Sequence, residues 1–364
     1  MLNGLRGIAI IGVIFWHLYG DSLYFMDLQK GKIPLFHLLP LNAFQGVALF
    51  FLLSAFVLYL PYVLGTRKME GLSDVFDFYR RRGKRLLPLY FIGVLFSMIY
   101  IHPVQNLWDF VRDIFLMGTA TFTFQESSFL SSYNFLLWTL SLEIWFSLAL
   151  PFIILAIRKI RIRDVILLMV LIAFISRSIG IVLIQEHFAF MFGGAVTPAM
   201  DHLLCRLDDF AVGLLLAHLY VHRSSFSKNT RWLFCAIALI LAAFALRTYS
   251  KGGYFPLLLL PFSNTILNAG FLFLIGYLLA CRNIITRLAS SWPLQMLGLM
   301  CYSLYIWHGM AIVPLQARQD LPHLLRYLFL LISFSWLTYR YIEHGHVDDY
   351  RKLLPQKEEN APIK

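Results

Sequence analysis

An arginine and a histidine interrupt the first apolar run of the chain, Leu5-Arg6-Gly7-Ile8-Ala9-Ile10-Ile11-Gly12-Val13-Ile14-Phe15-Trp16-His17. On a helix at about 100° per residue they end about 20° past three full turns, so Arg6 and His17 share a face, roughly 16 Å apart along the axis. That face carries a permanent cation at one depth and a titratable base at another. Such a layout suits an anionic substrate held near one membrane surface and proton chemistry deeper in. A lone acid, Glu143, lies in Trp138-Thr139-Leu140-Ser141-Leu142-Glu143. An acid within an apolar helix is neutralised, paired with a base or lining a wet cavity. We expect His17 to be its partner, because a carboxylate beside an imidazole orients the ring and raises its basicity.

The strongest charge run, Tyr79-Arg80-Arg81-Arg82-Gly83-Lys84-Arg85, has two readings. It is a topology anchor, as cytoplasmic loops are routinely basic. Or it is a phosphate clamp, with Arg82 and Arg85 projecting to one side of a helical turn and Arg6 joining them at the same membrane face. Further on, Cys301-Tyr302-Ser303-Leu304-Tyr305-Ile306-Trp307-His308 brings in a second histidine. Ser303 and His308 are five residues apart and do not share a face, which argues against a serine nucleophile activated by His308. His308 is either a hydrogen-bonded packing residue or a substrate contact. Arg206, Asp208 and Asp209, at the outer start of the sixth span, are expected to pair among themselves. His-Glu-x-x-His, Walker and dinucleotide-binding fingerprints do not occur, so no metal site is expected.

Positioning these groups falls to apolar helices. A chain of 364 residues with 59% hydrophobic and 14% charged content cannot keep its apolar surface from water as a soluble domain. We read an all-α polytopic membrane bundle of about ten spans, near 5–24, 43–64, 87–102, 136–157, 164–185, 203–222, 232–248, 262–281, 293–314 and 324–343. The segment Trp108 to Phe124 carries Asp109, Arg112 and Asp113 and is read as interfacial or re-entrant. With the amino terminus inside, 22 of the 31 lysines and arginines fall on inner segments and 7 on outer ones, with Arg177 and Arg206 within spans. That bias predicts cytoplasmic termini, and it explains the net charge of +11 without nucleic acid. Four cysteines at unrelated spacings are read as packing residues. Residues 1–345 form one membrane domain, and 346–364 a disordered cytoplasmic tail.

These segments resemble, in order, the motifs of the membrane-bound acyltransferase 3 family. Leu2-Asn3-Gly4-Leu5-Arg6-Gly7 through His17 is similar to its opening segment, and Phe50-Phe51-Leu52-Leu53-Ser54-Ala55-Phe56 to its second-span segment, with Ala55 for the usual glycine. Arg82-x-x-Arg85-Leu86-Leu87-Pro88, Trp138 to Glu143, Tyr302 to His308 and Tyr341-Ile342-Glu343 complete the likeness. Asn3, Ile144 and His344-Gly345 depart from it. The resemblance implies that His17 is the catalytic base and that Glu143 belongs to the active centre. It also implies that Arg6, Arg82 and Arg85 bind acyl-CoA, most simply acetyl-CoA. Trp138, Ser141, Tyr305 and His308 are the candidate acceptor contacts. The implied activity is O-acyl transfer to an exported or cell-surface glycan at the bacterial cytoplasmic (inner) membrane. A lipid or small-metabolite acceptor, or a succinyl donor, is the alternative within the family. Outside it stands a proton-coupled transporter, against which the lack of an internal duplication argues. No esterase-like soluble domain follows the tenth span, so we expect transfer to be completed within the membrane domain or handed to another protein.

Overall fold

The computed structural model of the chain describes residues 1–20, 23, 27, 33–100, 136–184, 198–222, 226, 228–316, 320–345, 347 and 353–355. The segment Trp108 to Phe124 and nearly all of the tail lie outside the described residues.

Among the described residues the chain is helical and contains no strand. Its long helices are α1 (Leu2–Phe15), α2 (Gly46–Val63), α3 (Leu72–Tyr100), α4 (Leu137–Ile157), α5 (Ile162–Ile184), α6 (Leu207–His222), α7 (Thr230–Lys251) and α8 (Leu260–Ala280). They are followed by α9 (Trp292–Leu299), α10 (Cys301–Gln316) and α11 (Leu321–Thr338). Among the described residues, seven helical stretches are long and apolar enough to cross a membrane. They are Leu2–Gly20, Ala43–Val63, Leu137–Ile157, Ile162–Leu183, Thr230–Lys251, Leu257–Ala280 and Leu321–Glu343. Phe152, Leu167, Leu183, Phe234 and Phe329 stay exposed on their outer faces, as lipid-facing positions do.

Two expectations need correction. The basic run is not a loop: it lies inside α3, which begins at Leu72, well before the expected start of the third span. Arginine and lysine are good helix formers, so the chain coils through them while their charges project from the flanks. The expected ninth span is divided at Met300 into α9 and α10, a break that hydropathy does not register.

Close backbone approach sets how α1 sits. A Cβ on Gly298 of α9 would run into the Asn3 backbone, and one on Gly4 would meet the backbone of Ala289. Small residues bring membrane helices together where packing, not water exclusion, drives association. Farther along the chain, two buried arginines tie α5, α6 and α8 together. Arg177 donates to both oxygens of Asp208 at 2.9 and 2.8 Å, while Arg206 pairs with Asp201 and Asp209 and donates to Asn264. All five charged groups are at most 1% exposed, so each is held by its partners. The expected pairing of Arg206 with Asp209 is present, and Asp208 belongs to Arg177.

Candidate active site

Three arginines from two helices converge on one cavity. Arg6 comes from α1, and Arg82 and Arg85, one turn apart on α3, come from the basic run. The cavity, about 740 Å³ with the open space at its mouth included, is walled by Phe50 and Ser54 of α2, Thr139 and Glu143 of α4, and Tyr302 and Tyr305 of α10.

Glu143 is a cavity residue, but its partner is not His17. Its Oε1 accepts from Arg82 Nη2 at 2.7 Å and from Ser54 Oγ at 2.8 Å. Arg82 Nε also donates to Ser147 Oγ at 3.2 Å, and that hydroxyl donates to the Glu143 carbonyl at 2.7 Å. The carboxylate therefore lies at the depth of Arg6, near one end of the α1 face, whereas His17 lies near the other. A second pair repeats the arrangement: Arg85 Nε donates to Glu343 Oε1 at 3.4 Å, and Ser303 Oγ donates to Glu343 Oε2 at 3.4 Å. Glu343 is 0% exposed and lies in a π-helical turn, Tyr339–Glu343. Arg6 has no carboxylate partner among the described residues; its Nη2 reaches the Leu53 carbonyl at 3.4 Å. Three guanidinium groups face two carboxylates, which leaves the cavity with net positive charge.

His17 stands in the π-helical turn Trp16–Gly20 that continues α1. Turns of this kind recur at functional sites because they re-aim a side chain within an otherwise regular helix. The ring is oriented by backbone: Nδ1–H donates to the Val13 carbonyl at 2.8 Å. A carbonyl only accepts, so Nδ1 carries the proton and Nε2 is the basic nitrogen. The ring lies edge-on to His308, with centroids 5.2 Å apart.

The remaining candidates separate by helix face. On α4, Thr139, Leu140 and Glu143 line the cavity, whereas Trp138 and Ser141 do not. At about 100° per residue those two fall on the face opposite the lining one. Trp138 packs against Phe51 at 6.5 Å, and Ser141 is buried. Tyr305 lines the cavity, and His308, nearly one turn further along α10, sits behind it with ring centroids 5.3 Å apart. Our sequence reading gave no role to Ser54, Thr139, Tyr302 or Glu343. Glu343 carried a signal like that of Glu143, an acid in an apolar stretch, though at its end.

A family model described as an acyltransferase domain matches residues 2–340. The chain belongs to the acyltransferase 3 family. Among its relatives is O-acetyltransferase OatA of Staphylococcus aureus (strain NCTC 8325 / PS 47), 24% identical over 94% of this chain and 56% of the relative. Acyltransferase MdmB of Streptomyces mycarofaciens is 30% identical over 44% of this chain and 41% of the relative. The chain thus spans little more than half the length of the staphylococcal relative. No solved structure matches it. In this member of the family the arginines, Glu143 and Tyr305 share one cavity, with the two imidazoles beyond Tyr305.

Proposed function

We propose that the protein transfers an acyl group, acetyl in the simplest case, from acetyl-CoA at the cytoplasmic face to a hydroxyl of an exported or cell-surface glycan. One observation carries the reading: a cavity with more guanidinium groups than carboxylates includes Arg6, roughly 16 Å down the same helix from an imidazole whose basic nitrogen is set by the Val13 carbonyl. The names of the staphylococcal and streptomycete relatives support acyl transfer, and the first supports oxygen as the acceptor atom.

The phosphates of coenzyme A dock on Arg6, Arg82 and Arg85, whose forks match phosphate oxygens. Arg82 and Arg85 exchange their carboxylates for the donor, and Arg6 meets it with no carboxylate to leave. The pantetheine arm runs along Val47, Phe50 and Tyr305 toward the imidazoles. His17 Nε2 then takes the proton of the acceptor hydroxyl as its oxygen attacks the thioester carbonyl.

The test is transfer of labelled acetyl from acetyl-CoA by purified protein in vesicles. His17→Ala is expected to lower kcat by at least about 100-fold while leaving coenzyme A binding intact. For Arg82→Ala and Arg85→Ala the dissociation constant of coenzyme A is expected to rise about tenfold or more each, as loss of a charge-assisted hydrogen bond implies. Full transfer by a folded His17→Ala protein would overturn the assignment of the base, and unchanged donor affinity would return the basic run to a topology anchor.

A further inference from the structure

His308 is fully buried, and the mechanism above does not use it. Its Nδ1–H donates to two carbonyls of its own helix, Tyr305 at 2.8 Å and Leu304 at 3.2 Å. Nδ1 is thereby the protonated nitrogen, and Nε2 is left as a bare acceptor. That Nε2 is buried without a hydrogen-bond partner among the described residues. An unsatisfied buried acceptor is destabilising, and the group asks for an explanation other than packing. The helix is held firmly around it, since the Tyr327 hydroxyl donates to the His308 carbonyl and Trp307 Nε1–H donates to Thr338 Oγ1.

The position of this bare nitrogen is informative. Helix α10 begins with Cys301 and Tyr302 in the cavity wall beside Arg6, passes Tyr305, which also lines the cavity, and reaches His308 about 10 Å beyond Cys301. Helix α1 runs alongside from Arg6 to His17, roughly 16 Å further on. The order from the arginines outward is therefore the tyrosines, His308 and then His17. Of the two rings, His308 is the one next to the donor cavity.

Acyl transfer frees a proton at one place and needs it at another. The acceptor hydroxyl loses it as the new C–O bond forms. The thiolate of coenzyme A must gain it as the C–S bond breaks, or it remains a strong nucleophile able to reverse the step. A single imidazole would have to face both atoms. Two imidazoles with centroids 5.2 Å apart, both with Nδ1 tied to backbone, divide the task.

We propose that His17 and His308 form a proton-relay pair in which His17 accepts the proton of the acceptor hydroxyl and His308 delivers a proton to the departing thiolate. The inference rests on the acyl-transfer reading and adds a second catalytic residue to it. The proton goes from the hydroxyl to His17 Nε2, across to His308 Nε2 and on to sulfur. The acyl carbon exchanges its bond to sulfur for one to oxygen, and both rings end neutral as they began. No further reactant is required.

The test uses His308→Asn in the full chain, because the Asn amide can keep the Nδ1-type bond to the Tyr305 carbonyl while removing Nε2. Transfer is compared with acetyl-CoA and with its selenium analogue, whose selenolate departs without being protonated. With the thioester, His308→Asn is expected to lower kcat about 100-fold, the usual scale of one general acid, with KM for the donor unchanged. With the selenoester the variant is expected to recover to within about tenfold of wild type, whereas His17→Ala recovers with neither donor. An equal deficit of His308→Asn with both donors, or full activity with the thioester, would overturn the relay. If the wild-type protein transferred from neither donor, the acyl-transfer reading itself would fall, and the relay with it.

Discussion

A carboxylate already bonded to an arginine competes with any phosphate that needs the same arginine. Glu143 holds Arg82 with side chains only 23% and 11% exposed, so the pair is partly shielded from water. Replacing Glu143 by Gln keeps an acceptor for Ser54 and Arg82 but removes the competing charge. Coenzyme A is expected to bind Glu143→Gln about 3- to 10-fold more tightly, the equivalent of about 0.6–1.4 kcal/mol for a partly screened pair. Titration of the purified variant with coenzyme A checks this; weaker binding would mean that Glu143 positions Arg82 for the phosphates instead of competing with them. The sequence made Arg6, His17, Arg82 and Arg85 legible because their spacing along single helices follows from helical geometry alone. It did not reveal the partner of Glu143, because that depends on which face of another helix lies opposite. His17 looked like the partner through chemical affinity, yet the arginine at the same depth takes the carboxylate and the Val13 carbonyl takes the ring. Glu343 was legible in principle, since the argument applied to Glu143 applies equally to an acid closing the last apolar run.

At the level of elements, α1 and the π-turn that continues it carry Arg6 and His17, so whatever seats α1 also sets the distance between the proposed donor site and the proposed base. Its seat against α9 depends on Gly298, where an added Cβ would run into the Asn3 backbone. Gly298→Val must push the two helices apart, and overpacking of this kind costs about 1–3 kcal/mol. The variant is expected to unfold at lower temperature in detergent and to lose at least about tenfold in kcat, because displacements near 1 Å at a reacting centre are expensive. A Gly298→Val protein with wild-type melting and turnover would show that α1 is seated by other contacts. The long apolar helices α4, α5, α7 and α8 were legible because length and hydropathy together leave few alternatives. The continuation of α3 through the basic run was not, since charge density on a helix flank looks the same in sequence as charge in a loop. Nor was the break at Met300, where the local backbone leaves the helix within an apolar stretch.

For the molecule as a whole, the two charge clusters differ in sign. The cavity cluster has three arginines to two glutamates, and the cluster joining α5, α6 and α8 has two arginines to three aspartates. Among the described residues the first cluster borders a cavity with an excess of cation, which favours entry of an anionic donor there. Arg80, Arg81 and Lys84 lie exposed on α3 beside that entrance and extend the same field outward. On the charge bias of the sequence we propose that this face is the cytoplasmic one. Coenzyme A does not cross a bilayer, so the side from which it is supplied becomes a readout of the arrangement. In inverted membrane vesicles, acetyl-CoA added to the medium is expected to support labelling of acceptor within the lumen. In right-side-out vesicles the same addition is expected to give no transfer until the donor is loaded inside. Raising the ionic strength should slow labelling at sub-saturating donor and leave the maximal rate nearly unchanged, because screening weakens steering of the phosphates but not chemistry among buried rings. Equal labelling from both sides would mean that the arginine cavity is not reached from the cytoplasmic side alone, and would overturn this placement of the donor entrance.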